Sequence, residues 1–113
     1  MKKAIYLIFI LFANINFGQV QSINKAQQIY LENLKIINEF IANKGDINDG
    51  EIVDNSIDFL EEITKIKSDF IPAYEIIYTP SEQNLKDWKN WYKKNKKLLY
   101  WDEKENKVKV RKR

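Results

Sequence analysis

Residues 85–102 read LKDWKNWYKKNKKLLYWD, with Trp88, Trp91, Tyr92, Tyr100 and Trp101 threaded through Lys86, Lys89, Lys93, Lys94, Lys96 and Lys97. Trp88, Trp91, Tyr92, Asn95 and Leu99 recur at spacings of three and four residues, the repeat of a single helical face. The lysines fall mostly on the other faces, so a helix here separates aromatic rings from cations. A stripe that continues into Leu99 is what burial demands, and Trp88, Trp91, Tyr92 and Trp101 are therefore expected to form an aromatic core. The competing reading exposes the tryptophans to stack on sugar rings or bases, with Lys93, Lys94, Lys96 and Lys97 holding an anionic backbone. The continuous stripe favours the core.

The segments on either side give this helix its limits. Thr79-Pro80-Ser81-Glu82 is a start signal: threonine accepts from the orphan amides, proline suits the first helical position, and Glu82 completes a capping box. After Leu98 the pattern changes to LLYWD, then EKEN, then KVKV. That alternation around a polar turn predicts a β-hairpin with Val108 and Val110 opposite Leu99 and Trp101. Arg111-Lys112-Arg113 is expected to fray into solvent.

Two more helices are predicted upstream. Ser22 can cap the first, whose apolar positions Ile23, Ala26, Tyr30, Leu34, Ile37 and Ile41 form one stripe widened by Ile29, Ile36 and Phe40. It stops at Asn43-Lys44-Gly45, and Asp46–Gly50, DINDG, is a turn. An EF-hand needs oxygen ligands at positions 1, 3 and 5 and glycine at 6, whereas Gly50 stands fifth from Asp46, so no calcium loop is expected. Asp49 can cap a second helix to about Lys67, with Val53, Ile57, Leu60 and Thr64 on one line and Ile52, Phe59, Ile63 and Ile66 beside it. A short connection between matched stripes predicts a helical hairpin. The run from Tyr74 to Tyr78 is β-branched and aromatic and favours extended chain. The expected fold is mainly α: a helical hairpin, a tryptophan-rich third helix and a short C-terminal β-hairpin.

The first residues, MKKAIYLIFILFANINFGQ, place Lys2 and Lys3 ahead of an apolar run from Ala4 to Ala13. That order is the pattern of a secretory signal peptide. A spanning helix needs about 20 mostly apolar residues, and Asn14 and Asn16 interrupt this run at roughly ten, so a retained anchor is the weaker alternative. Gly18 suits cleavage. The chain is expected to divide into a signal peptide over 1–18 and one small α-rich domain over 19–113 with a basic C-terminal tail, exported to the periplasm or beyond the cell. There is no cysteine, hence neither a disulfide nor cysteine lipidation.

The end of the second helix, Leu60-Glu61-Glu62-Ile63-Thr64, followed after a loop by Trp88-Lys89-Asn90-Trp91, resembles the helix–LxxLT–loop–WxxW unit of bacterial HEAT-like helical repeat proteins and of small exported proteins of unassigned function. The resemblance covers 57–102. It implies a helical packing unit whose tryptophans are structural, and it carries over no catalytic or binding residue. A glycine commonly follows the threonine in that pattern; here it is Lys65.

Charge divides the chain. From Gln19 to Leu85 there are 5 lysines against 12 Asp and Glu, a balance of −7; from Lys86 to Arg113 there are 12 Lys and Arg against 4 acids, a balance of +8. Either the acidic helices pack beside the basic segment, or the basic surface meets an anionic partner. With no histidine and no cysteine, the usual proton shuttle, thiol nucleophile and commonest transition-metal ligands are missing. Asp58 with Glu61 or Glu62 is a carboxylate pair of the kind that hydrolyses glycosides, but on a packed helix such residues are usually the solvated side. Glycines stand only at 18, 45 and 50, which leaves no phosphate-binding loop.

The expectation is a non-catalytic interaction or structural module without cofactor or metal. Lys93, Lys94, Lys96 and Lys97 are either a solubilising face turned to solvent or a dock for an acidic protein or an anionic envelope polymer such as lipopolysaccharide; export makes nucleic acid a poor target. The alternative is an immunity- or inhibitor-type protein of the envelope that binds another protein through Glu51, Asp54, Asp58, Glu61 and Glu62.

Overall fold

A computed structural model of the chain describes the backbone over residues 2–43, 50–68 and 80–112, and side chains from residue 18 onward within those ranges. It contains α1 (Lys2–Ala42), α2 (Gly50–Thr64), α3 (Glu82–Asn95), a 3-10 turn (Lys96–Leu98) and strands β1 (Leu99–Asp102) and β2 (Lys107–Val110). The architecture is mainly α, a helical hairpin and a third helix closed by an antiparallel two-stranded hairpin. The DINDG turn, apart from Gly50, and the run Tyr74–Tyr78 lie outside the described residues.

The buried stripes are those that the periodicity indicates, except that Ile23 is half-buried and stands outside the core. Ala26, Tyr30, Leu34 and Ile37 of α1 meet Val53, Ile57 and Leu60 of α2, Leu85 and Trp88 of α3, Leu99 of β1 and Val108 of β2. Ile29, Ile36, Phe40, Ile41, Phe59, Ile63 and Ile66 pack partly buried against them. Ile52 departs from expectation: it is 47% exposed, because it sits well round the helix from the buried line through Val53, Ile57 and Leu60.

Helix starts differ from expectation at two places. Residues before Ser22 are already helical, so Ser22 does not cap α1. Its hydroxyl, freed from that task, accepts the Trp101 N–H at 3.0 Å and donates to the Trp101 carbonyl at 3.1 Å. It thereby pairs both main-chain groups of one residue of β1, as a neighbouring strand would. Ser22→Ala leaves two half-buried main-chain groups unpaired and should cost about 1–3 kcal/mol. A thermal melt checks this, and an unchanged midpoint would show that β1 is held by packing alone.

The second difference is at α3, which begins at Glu82 and is capped by Ser81, with Pro80 outside the helix. Asn84 donates its N–H to the Ser81 hydroxyl at 3.1 Å, and its side-chain oxygen accepts the Ser81 N–H at 2.9 Å. The sequence holds two overlapping boxes, and Ser81 with Asn84 takes the place expected of Thr79 with Glu82 because an asparagine at the third position reciprocates as a glutamate does. Glu82 keeps a favourable place in the first turn, where the helix dipole suits a carboxylate.

α2 stops at Thr64, three residues earlier than about Lys67, because the chain turns left-handed at Lys65, whose φ is 61°. Thr64 donates its hydroxyl to the Leu60 carbonyl at 2.6 Å and accepts the Ile66 N–H at 3.1 Å. The Ser68 N–H and hydroxyl both donate to Glu61 Oε2, at 2.7 and 2.9 Å. The stop therefore uses side-chain hydrogen bonds in place of the glycine that usually occupies a left-handed residue. Lys65→Gly removes the Cβ strain, and chemical denaturation should show a gain of about 0.5–1 kcal/mol. A loss would mean that the lysine side chain contributes something its exposed position does not suggest.

The hairpin keeps its expected register, Leu99 opposite Val110 and Trp101 opposite Val108. Asp102 accepts the Lys104 and Glu105 N–H groups in the turn and pairs with Lys109 at 2.9 Å. The Lys109 contact, with the Lys104 amide, holds its carboxyl below the ordinary aspartate value. The tail does not simply fray: Arg111 donates its N–H to the Leu98 carbonyl at 2.8 Å, and its guanidinium lies over the Tyr100 ring. Lys112 is exposed.

Candidate functional site

The aromatic cluster is organised around Tyr30. Trp91 and Tyr92 stack near it, with ring centroids 5.6 and 5.1 Å away, and Phe59 meets it edge-on at 6.1 Å. Its hydroxyl donates to the Trp88 carbonyl at 2.8 Å. Burial first, and then the neighbouring Tyr92, push the Tyr30 phenol far above the ordinary tyrosine value; burial raises Tyr92 as well.

Trp88 is 0% exposed, and its indole N–H donates to the Ile66 carbonyl at 3.2 Å. Trp91, Tyr92 and Trp101 are partly buried against the core. Lys25 lies 3.9 Å over the Trp101 ring, and among the described residues the enclosed Trp101 indole N–H finds no acceptor. Tyr92, besides stacking on Tyr30, lines a surface groove.

That groove has a volume of about 670 Å³ and runs between α1 and α3. Leu31, Leu34, Lys35 and Asn38 come from α1 at spacings of three, four and seven, one helical stripe. Lys86, Lys89, Asn90 and Lys93 come from the face of α3 turned away from Trp88, and Tyr92 closes the floor. Four ammonium groups and two carboxamides thus surround an apolar floor, and no carboxylate is among the lining side chains. Such a surface attracts anions and offers amide hydrogen bonds and apolar contact once they arrive. A second hollow of about 460 Å³ continues it along α1 past Gln27, Gln28 and the carboxylate of Glu32, sharing Leu31, Lys35 and Tyr92.

No protein-family model, curated protein or solved structure matches this chain.

The structure divides the lysine cluster singled out in the sequence. Lys93 lines the groove, whereas Lys94, Lys96 and Lys97 are exposed but outside it, and the Lys96 carbonyl accepts the Gln27 amide at 3.0 Å. Sequence adjacency places those residues around the helix and its 3-10 extension, not on one face. Lys86 and Lys89 belong with Lys93 by their spacing, a signal present in the sequence; Lys35 and Asn38 arrive only through the packing of α1 on α3. Among the described residues no acidic set gathers as a metal site. The acidic row is also divided, since Glu61 is committed to Ser68 while Asp54, Asp58 and Glu62 are exposed.

Proposed function

We propose that the chain is an exported, non-catalytic docking module of the cell envelope that holds an acidic partner, a protein or an anionic polymer, in the groove between α1 and α3. The observation that carries this reading is the rim of Lys35, Lys86, Lys89 and Lys93 around a floor of Leu31, Leu34 and Tyr92. The signal-like N-terminus supports export, and the lack of histidine and cysteine supports a role without catalysis. The likeness to HEAT-like packing units belongs to the same proposal. It is supported by the bond from Trp88 to the Ile66 carbonyl, two residues past the LxxLT stretch, and by the left-handed Lys65 where that pattern commonly has glycine.

A second reading, an inhibitor-type protein that uses its acidic helix, draws on the exposed carboxylates of Asp54, Asp58 and Glu62. Poly-L-glutamate binding followed by intrinsic fluorescence separates the two. Changing Lys86, Lys89 and Lys93 together to glutamine should weaken binding about tenfold or more, and added salt should weaken the unaltered chain similarly. Changing Lys94, Lys96 and Lys97 to glutamine should have a much smaller effect. The reverse order would move the docking surface to the end of α3, and no binding at low salt would remove this reading in favour of the acidic face.

A further inference from the structure

Lys109 pairs with Asp102 and with Glu105, both inside the hairpin. Asp54, Asp58 and Glu62 are exposed on the face of α2 opposite Val53, Ile57 and Leu60, while Lys86, Lys89 and Lys93 are exposed along the groove. No ion pair joins these two sets among the described residues. Each set is the complement of the other, and both are turned outward.

Their dimensions agree. The groove and its continuation follow α1 from Asn24 to Asn38, about 21 Å at the helical rise, and α2 with its 15 residues is about 22 Å long. Asp54, Asp58 and Glu62 span about 12 Å along their helix, and Lys86, Lys89 and Lys93 about 10 Å along theirs. The groove also carries one exposed aliphatic side chain, Leu31, which is 46% exposed. The segment from Gln19 to Arg113 has a net charge of only +1, from −7 and +8, so long-range repulsion between copies is small.

We propose that the occupant of the groove is the acidic face of α2 from a second copy of this chain. The inference rests on the docking reading above and names its partner. The two surfaces differ, so the contact is heterologous: it extends from copy to copy, or closes where two copies exchange both surfaces. Asp54, Asp58 and Glu62 lie against Lys86, Lys89, Lys93 and Lys35.

Sedimentation velocity of the full chain tests this, with two charge-reversed variants. One carries Lys86→Glu, Lys89→Glu and Lys93→Glu; the other carries Asp54→Lys, Asp58→Lys and Glu62→Lys. The unaltered chain should associate at about 20 mM salt and lose at least about tenfold in affinity by about 300 mM. Each variant alone should associate at least about tenfold more weakly. An equimolar mixture of the two should recover association, because the acidic groove of one accepts the basic α2 of the other. Circular dichroism verifies that both variants fold, and if either does not, the matching neutral variants with Gln and Asn replace them.

An unaltered chain that stays monomeric at low salt overturns the inference. So does association insensitive to both reversals, as contact through the apolar N-terminal run would be, or a mixture of folded variants that fails to recover it. Poly-L-glutamate binding in the same samples separates the two levels. A monomeric chain that binds the polymer removes only the second copy as partner, and one that does neither removes the docking reading as well.

Discussion

Trp88→Ala should leave the chain largely unfolded or lower its urea midpoint by more than about 1 M. Trp88 is fully enclosed, touches the core that α1, α2 and the hairpin share, and gives its indole N–H to the Ile66 carbonyl at 3.2 Å. Truncating a buried tryptophan typically costs about 3–5 kcal/mol through lost transfer energy and the cavity left behind. A domain of this size has about 5–15 kcal/mol in all and no disulfide to restrain its unfolded state. Trp88→Phe keeps most of the volume and loses the donor, so it should fall between the two. A loss below about 1 kcal/mol on Trp88→Ala would mean that the ring is exposed and available to a ligand.

Alkaline unfolding should be steep above pH 10. Tyr30 keeps its proton in the folded state well past the ordinary tyrosine value, because burial and the adjacent Tyr92 disfavour the phenolate. Below pH 10 the phenol is neutral in both states and the stabilisation is fully present. Between the unfolded and folded values the unfolded chain binds fewer protons, so stability falls as pH rises, by about 1.4 kcal/mol per pH unit for this one group. Tyr92 shifts the same way and adds a smaller share. Tyr30→Phe should start from a lower stability, having lost the hydrogen bond to the Trp88 carbonyl, and should show a shallower decline above pH 10. An identical slope in that variant would show that Tyr30 does not carry the alkaline loss.

Periodicity made the core legible because burial acts on whole stripes: Ala26, Tyr30, Leu34 and Ile37, and Val53, Ile57 and Leu60, follow the helical repeat closely enough to be read without coordinates. The hairpin register followed from alternation alone. Local choices between near-equal alternatives were not legible. Ser22 has the chemistry of a cap but pairs Trp101, and two capping boxes overlap at the start of α3. The groove depends on how α1 lies against α3, which brings Lys35 and Asn38 beside residues some fifty positions away. Runs of adjacent lysines drew attention to Lys94, Lys96 and Lys97, whereas the helix places Lys86, Lys89 and Lys93 together.

Amide chemical-shift mapping by NMR, with poly-L-glutamate added at low salt, reports where an anionic chain docks, residue by residue. A groove between α1 and α3 predicts shifts concentrated at Leu31, Lys35, Asn38, Lys86, Lys89, Asn90 and Lys93, with Trp88 and Tyr30 moving little. Shifts concentrated at Lys94, Lys96, Lys97 and Lys104–Lys112, with the groove silent, would contradict it and place the anionic surface at the basic C-terminal end.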